Sequence, residues 1–394
     1  MTATADQHFP MRALLAGARR KESGLLDLIQ QLVRAESPSD NKSAVDACTS
    51  LAAAQAKALG GRVKLHRQKV FGDLLEAHFG PKSKTGAARR TLLLGHLDTV
   101  WPVGTLKTMP CRLGEGRLWG PGTLDMKAGV AMAFTAIEIL SEAGLLNHEI
   151  ILLLNSDEEV GSPASRPITE RLAEESAAVY VLEPAQGLAY KTARKGVGNW
   201  RVQISGVAAH AGLDFAKGAS AIRELARMVE TVSGWNDLKR GITVNVGVVG
   251  GGTKGNVIAA EAWAEVDARI VRKADGPRME RKFDTLKPED KRCTLTVSGG
   301  INRPPMERTR GTLRLYRQAR ALASELGFSL AETSTGGASD GNFTSALGIP
   351  TLDGMGAVGE GAHALHESIL VEHLAPRTAL LAGLLASRDS AVSI

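Results

Sequence analysis

Residues 91–98 read TLLLGHLD, and residues 149–159 read EIILLLNSDEE. Each segment starts with a short apolar run, at 91–94 and 149–154, that contains no alternating polar residues. Such runs are typical of strands buried on both faces of a parallel sheet. A third run of this kind lies at residues 178–182 (AVYVL). We therefore interpret the three runs as neighbouring strands of one largely parallel sheet.

The segments around these runs complete the pattern. An apolar helical segment at residues 126–143 separates the first two runs, which gives the alternation of strand and helix that is typical of an α/β domain. From about residue 199 apolar and polar residues alternate, as in a strand with one solvated face. The order that follows is strand, helix, strand, strand, helix, strand, which is the ferredoxin-like arrangement.

The predicted architecture therefore has two domains. The first is an α/β domain with a mostly parallel sheet and helices on both faces, formed by residues 1–193 and 304–394. The second is a ferredoxin-like α+β domain inserted between these two parts, at residues 194–303. A length of 394 residues is consistent with two domains.

The composition excludes several classes of protein. The first twenty residues contain no apolar signal segment, and no apolar stretch reaches the roughly 20 residues that a membrane span requires. The three cysteines form no CxxC pair, so we expect reduced thiols and a cytoplasmic protein. The net charge of +6 is spread along the chain without interleaved aromatic residues, so we expect neither a nucleic-acid nor a membrane partner.

One glycine-rich run suggests a different function. Residues 250–255 (GGGTKG) match the dinucleotide-binding pattern GxGxxG. That site requires a helix to begin at the glycines, with its N-terminal amides facing the pyrophosphate. The following residues instead have the pattern of a strand, so we interpret the run as a hairpin turn. A nicotinamide titration would test the remaining alternative, an NAD-dependent enzyme.

Acidic and histidine side chains follow the ends of the buried strands. Open α/β sheets place their sites at the carboxyl ends of their strands. Imidazole and carboxylate groups together suit zinc, and an excess of carboxylates permits two ions that share a bridging carboxylate. Without cations, so many like charges at one sheet edge would repel each other. The residues concerned are His96, Asp98, Asp125, Asp157, Glu158, Glu159, Glu183 and, late in the chain, His366.

These residues belong to motifs with a recognisable order. The motifs are His96-x-Asp98, GTLDMK at 122–127, DEE at 157–159, Glu183, AHAG at 209–212 and His366. In this order they resemble the dinuclear zinc aminoacylase and carboxypeptidase family, which includes glutamate carboxypeptidases, acetylornithine deacetylase and succinyl-diaminopimelate desuccinylase. The resemblance covers about residues 90–370.

The resemblance implies a role for each residue of the first domain. His96 and Glu183 would bind one Zn²⁺ ion, with Co²⁺ or Mn²⁺ as substitutes. Glu159 and His366 would bind a second ion, and Asp125 would bridge the two. Glu158 would be the general base, and Asp98 would orient His96. The resemblance also implies a cis peptide bond between Asp125 and Met126.

The resemblance implies further roles in the inserted domain and in a late loop. There His210 would stabilise the oxyanion, although a structural loop histidine is an alternative. Asn256 and Arg269 would hold a substrate carboxylate, but a surface ion pair of Arg269 with Asp267 or Glu265 is also compatible with the strand pattern. In the late loop, Gly336 and Gly337 resemble the family's glycine-rich substrate segment.

The expected activity is hydrolysis of an amide or peptide bond next to a carboxylate-bearing residue. In the family, glutamate at the position of Glu183 accompanies carboxypeptidases and deacylases, whereas aminopeptidases usually have aspartate there. A glutamate-type carboxypeptidase, acting on a small molecule or short peptide with a free carboxylate, is therefore the expected enzyme. An N-acyl amino acid deacylase and a catalytically inactive relative are alternatives. The resemblance also implies a homodimer formed through the inserted domain.

Overall fold

The computed structural model describes residues 11–82 and 90–387. These residues form two compact units. The second unit contains Ala193–Glu307 together with the short segment Thr335–Ala338, and the first unit contains the rest. These units differ from the predicted domains in one respect, because the segment at 335–338 belongs with the second unit although it lies outside residues 194–303.

The bounds of the secondary-structure elements are as follows. The strands are β1 (Arg62–His66), β2 (Leu74–Phe79), β3 (Arg90–His96), β4 (Arg112–Gly114), β5 (Arg117–Trp119), β6 (Glu149–Asn155), β7 (Ala178–Val181), β8 (Tyr190–Arg194), β9 (Gly196–Ser205), β10 (Thr243–Gly251), β11 (Glu261–Ile270), β12 (Thr294–Arg303), β13 (Glu332–Thr335), β14 (Thr351–Leu352), β15 (Gly359–Glu360) and β16 (Ser368–Leu370). The helices are α1 (Met11–Arg20), α2 (Glu22–Arg34), α3 (Lys42–Ala58), α4 (Ala128–Glu142), α5 (Arg166–Glu174), α6 (Ala221–Ser233), α7 (Gly276–Asp284), α8 (Arg310–Glu325), α9 (Gly341–Ala346) and α10 (Leu374–Ala386).

A six-stranded sheet, with the order β1-β2-β6-β3-β7-β14, forms the centre of the first unit. Strands β6, β3, β7 and β14 are parallel, and β2 and β1 continue the sheet in antiparallel pairs. Because β3 lies between β6 and β7, the carboxyl ends of these three strands meet at one edge of the sheet. The predicted α/β fold with a mostly parallel sheet is confirmed.

Burial on both faces explains why β3 and β6 lack polar alternation. Leu93 and Leu152 belong to the large core that contains α4 and α10. Their neighbours Leu92 and Ile151 belong to a smaller core on the opposite face, which includes Leu172 of α5. Each face of the sheet is thus covered by helices, and every position in these strands favours an apolar residue.

A four-stranded antiparallel sheet, with the order β10-β11-β9-β12, forms the second unit. The element order β9, α6, β10, β11, α7, β12 is the predicted ferredoxin-like order. One apolar core joins the helices to the sheet, and Trp200 of β9 stacks on Phe283 of α7 with ring centroids 4.1 Å apart. The polar residues that alternate with this core lie on the other face of the sheet.

The glycine-rich run at 250–255 connects two strands. Strand β10 ends at Gly251, and β11 begins at Glu261 with no described helix between them. Without a helix N-terminus the run lacks the amide groups that would face a pyrophosphate. The interpretation as a hairpin connection is therefore confirmed, although β11 begins four residues later than the sequence pattern indicated. Every helix within residues 11–82 and 90–387 is too short or too polar to cross a bilayer.

Candidate metal and active site

His96 lies at the carboxyl end of β3 and is almost fully buried. Its Nε2 atom is 3.3 Å from Oδ1 of Asp125 and 3.6 Å from Oε1 of Glu183. Glu183 reaches this point because β7 pairs with β3 in parallel, with Val181 beside Leu94. Burial lowers the pKa of His96, but the surrounding carboxylates of Asp125, Asp98 and Glu183 outweigh it and hold that pKa well above its usual value.

Asp125 stands in the turn before α4. Its peptide bond to Met126 is cis, as the family resemblance implied. One carboxylate oxygen faces His96, and the other, Oδ2, lies 3.5 Å from Nε2 of His363. Burial raises the pKa of Asp125, but the nearby imidazoles of His363 and His96 outweigh it and hold the pKa below its usual value. Asp125 thus faces a different imidazole with each oxygen.

A second group of ligand atoms forms around Glu159. Nε2 of His363 lies 3.3 Å from Oε1 of Glu159 and, as noted, 3.5 Å from Asp125. The nearby carboxylates of Asp125 and Glu159 raise the pKa of His363 to about 10. Two carboxylates therefore attract positive charge at this point.

The late histidine beside these carboxylates differs from the one that the sequence motif indicated. His363, not His366, lies beside Asp125 and Glu159. Among the described residues, no hydrogen bond or ion pair involves the His366 side chain. The His366 ring packs against Gly361, because a Cβ added to Gly361 would lie 2.8 Å from Cδ2 of His366. Gly361 and His363 both have positive φ angles, of 82° and 61°. The direction of this loop depends on those conformations, which the sequence motif does not specify.

Asp98 contacts the turn of Glu158 and Glu159 as well as His96. Its carboxylate accepts the backbone N–H groups of Glu158 at 3.2 Å and Glu159 at 3.1 Å, and the hydroxyl of Ser39 at 2.7 Å. Nδ1 of His96 is 2.9 Å from the backbone carbonyl of Asp98 and 3.5 Å from its carboxylate. The two residues are not on one strand, because β3 ends at His96. Asp98 thus holds the glutamate turn with its side chain and contacts the histidine mainly with its backbone.

A buried aspartate that sequence reasoning did not assign to the site supports the same turn. Asp340 accepts hydrogen bonds from Nδ2 of Asn155, at 2.6 Å, and from the hydroxyl of Ser162. These two donors flank the segment that carries Glu158 and Glu159. The available signal was the position of Asp340 directly after the serine of the late glycine-rich loop, but nothing in the sequence identifies donors 185 and 178 residues away.

Three buried atoms in this cluster have no hydrogen-bond partner within the described chain. They are Nε2 of His96, Oδ1 of Asp125 and Oε1 of Glu159. His96, Asp125 and Glu159 each offer a ligand atom within 4.8 Å of the other two, and His96, Glu158 and Glu183 do the same. Buried polar atoms without a partner are costly, and a cation would satisfy all of them. These nitrogen and oxygen ligands fit a metal such as zinc.

His210 lies in the second unit on an exposed loop. Its Nδ1 atom accepts the backbone N–H groups of Gly212 at 3.1 Å and Leu213 at 3.2 Å. In the neutral ring the proton is then on Nε2, which leaves that atom as a donor. Asn256 lies nearby, because its backbone carbonyl accepts the N–H of Ala211 at 2.9 Å. Two of the residues assigned from the family resemblance are therefore neighbours within this unit.

Arg269 forms an ion pair with Asp267, which is the alternative that the strand pattern allowed. Its Nε and Nη2 atoms donate to the two carboxylate oxygens of Asp267 at 2.8 and 2.9 Å. Nη1 donates to the carbonyl of Gly336 at 3.3 Å, and the next carbonyl, of Gly337, accepts from Arg194 at 3.2 Å. The glycine segment is thus tied to arginines of the second unit through its carbonyl groups.

Comparisons with known proteins agree with this geometry. The model of peptidase family M20/M25/M40 matches residues 92–387. Carboxypeptidase G2 of a Pseudomonas species is 27% identical over 89% of this chain and 85% of its own length. Succinyl-diaminopimelate desuccinylase of Stenotrophomonas maltophilia is 26% identical over 89% of this chain and 96% of its own. The crystal structure of aminopeptidase PepT from Bacillus cereus has a similar fold, with a TM-score of 0.77 at 22% identity over 94% of this chain and 99% of that one.

Proposed function

Because the chain belongs to peptidase family M20/M25/M40 and is a hydrolytic enzyme of peptide or amide bonds, we propose that it cleaves such a bond next to a carboxylate-bearing residue. The proposed activity is that of a glutamate-type carboxypeptidase. The observation that carries the proposal is the arrangement of Asp125 between two histidines, with a glutamate beside each. A deacylase of N-acyl amino acids is the second candidate, since a desuccinylase matches nearly the same share of the chain.

The site would hold two metal ions. His96 and Glu183 would bind one ion, Glu159 and His363 the other, and Asp125 both. Zinc is the proposed metal, with Co²⁺ or Mn²⁺ as substitutes, because its ligands in proteins are imidazole nitrogens and carboxylate oxygens. His363 takes the place that the sequence analysis gave to His366.

Glu158 is the proposed general base. When bound, two zinc ions would lower the pKa of a shared water towards about 7. The carboxylate of Glu158 would take the proton from the attacking water and later deliver it to the leaving nitrogen. The hydrogen bond from its backbone N–H to Asp98 supports this role, because it fixes the start of the side chain beside the ligands.

His210 would stabilise the oxyanion that forms at the substrate carbonyl. The two N–H groups of Gly212 and Leu213 occupy its Nδ1, so the neutral ring presents an N–H donor at Nε2. Asn256 would contact the same substrate.

Arg269, with Gly336 and Gly337, would bind the substrate carboxylate. A guanidinium has five N–H groups. Asp267 accepts two of them and Gly336 one, so two remain for a ligand. The pair with Asp267 would then orient the guanidinium plane rather than prevent binding.

We also propose a homodimer that forms through the second unit. Strand β10 is at the edge of its sheet, and edge strands present unpaired backbone groups to other chains. Val248 and Val249 of this strand are 47% and 58% exposed. Sedimentation at micromolar concentration should give a dimer, and a fully active monomer would contradict the proposal.

A substrate panel tests the proposed activity. The zinc-loaded protein is given peptides that end in glutamate, N-acetyl and N-succinyl amino acids, and the carboxamide counterpart of each. We expect hydrolysis of the free acids and little turnover of the carboxamides. Preference among the acids separates a carboxypeptidase from a deacylase. Equal turnover of acid and carboxamide, or release of N-terminal residues only, would contradict the proposal.

A further inference from the structure

Glu367 is a fully buried carboxylate that accepts four hydrogen bonds. Oε1 accepts the backbone N–H groups of Leu124 at 2.8 Å and Asp125 at 3.1 Å. Oε2 accepts the N–H of Gly122 at 3.0 Å and the indole N–H of Trp101 at 2.9 Å. Three of its four donors therefore belong to the turn that carries Asp125.

The backbone of Glu367 strengthens this connection. Its carbonyl accepts the N–H of Gly120 at 3.3 Å, and its own N–H donates to Ala364 at 2.9 Å. The next residue, Ser368, pairs with Trp119 in the ladder between β16 and β5. Glu367 thus joins the loop that carries His363 to the turn that carries Asp125, two segments that are more than 230 residues apart in the chain.

The chemistry of the four partners requires an ionised carboxylate. Each partner is an N–H donor, so a protonated Glu367 would place an O–H against donors. Burial raises the pKa of Glu367 above its usual value, and the hydrogen bonds from Asp125, Gly122, Trp101 and Leu124 offset only part of that rise. A glutamine is no substitute, because its NH₂ group would face N–H groups and only one oxygen would accept.

We propose that Glu367 is a positioning residue that fixes Asp125 in the orientation needed to bridge two metal ions, and that it thereby sets the metal affinity of the site. The inference rests on the proposed function, which makes Asp125 the bridging ligand. Groups that orient a metal ligand without touching the metal typically change metal affinity or activity by about 10- to 100-fold when they are replaced. A role limited to folding would instead lower stability and leave the affinity unchanged.

The test compares Glu367→Gln with Glu224→Gln. Glu224 is a matched control because it is also buried and accepts backbone N–H groups, from Glu289 at 2.8 Å and Asp290 at 3.4 Å, in the second unit. Zinc affinity of each metal-free, full-length protein is measured by competition with a chromophoric chelator, and Tm is measured with and without zinc. Glu367→Asp, which keeps the charge but shortens the side chain, provides a second variant if Glu367→Gln does not fold.

We expect Glu367→Gln to weaken zinc binding by about 10- to 100-fold and to reduce the rise in Tm that zinc produces. Glu367→Asp should show a smaller loss in the same direction. Glu224→Gln should lower Tm without changing the affinity. Wild-type affinity in both variants of Glu367 would overturn the inference while leaving the proposed function intact. A wild-type protein that binds no zinc would overturn the proposed function itself.

Discussion

Replacement of His363 tests the corrected ligand assignment, with His366 as a control in the same loop. His363 supplies one of three protein ligands of the proposed second ion, together with Glu159 and Asp125. His363→Ala would remove that ligand and leave two carboxylates facing each other without an imidazole. His366→Ala removes a side chain that makes no hydrogen bond or ion pair within the described chain, so it should change little.

The size of the effect follows from what the second ion contributes. A catalytic metal supplies several kcal/mol of transition-state stabilisation, and 1.36 kcal/mol corresponds to a tenfold change in rate. If about 3 kcal/mol depends on the second ion, His363→Ala should reduce kcat on the order of 100-fold. Metal content should fall from about two ions to about one ion per chain.

The assay measures zinc by elemental analysis after gel filtration and kcat on the best acid substrate. Circular dichroism of both variants shows that each is folded. Wild-type metal content and kcat in His363→Ala, with a large loss in His366→Ala, would refute the geometric assignment and restore the one made from the sequence motif.

Three further variants probe the rest of the site. Glu158→Gln removes the basic oxygen at nearly constant size, so kcat should fall about a thousandfold with zinc content unchanged; an active variant would exclude the general-base role. Arg269→Ala should lower kcat/KM on a free acid by a factor equivalent to about 2 to 4 kcal/mol of transition-state stabilisation, and should change kcat/KM on the carboxamide little. Arg269→Lys should restore only part of the loss, and equal losses on both substrates would show that Arg269 has a structural role. Asp340→Asn replaces one of the two carboxylate oxygens that accept hydrogen bonds from Asn155 and Ser162. The free energy of unfolding, measured by urea denaturation, should therefore fall by about 1 to 3 kcal/mol, and unchanged stability would exclude a role of Asp340 in supporting the glutamate turn.

The strands and the candidate metal ligands next to them were predictable for a common physical reason. Every position of β6 is buried, as is every position of β3 from Leu92 onward, so the sequence shows continuous apolar runs that end abruptly in polar residues. The parallel pairing of β3 with β6 and β7 then brings the residues after each run to one edge. His96 and Glu183, which follow the strands closely, lie where this reasoning placed them.

Residues on loops were not predictable in the same way. His363 and His366 share a loop without periodicity, and positive φ angles decide which ring faces Asp125. Asp98 lies two residues beyond the end of β3 at His96, and it contacts the histidine mainly through its backbone carbonyl. The role of Glu367 depends on partners more than 240 residues away, and no local pattern encodes such contacts.

In the second unit, too, the strand pattern was predictable and the side-chain contacts were not. Alternation along β11 correctly placed Arg269 and Asp267 on one face, but it did not decide whether the guanidinium pairs with Asp267 or remains open. The contact from Arg269 to Gly336 links the glycine segment to this unit across 67 positions in the chain, and no local sequence pattern indicates such a contact.

Metal removal and restoration test the central claim most directly. The protein is purified without added metal, its zinc content is measured, and hydrolysis of the best acid substrate is followed before chelation, after chelation and after zinc is returned. We predict about two zinc ions per chain, loss of hydrolysis on chelation, and recovery that is complete only when both ions are restored. Undiminished hydrolysis by protein that elemental analysis shows to be free of metal would contradict the account.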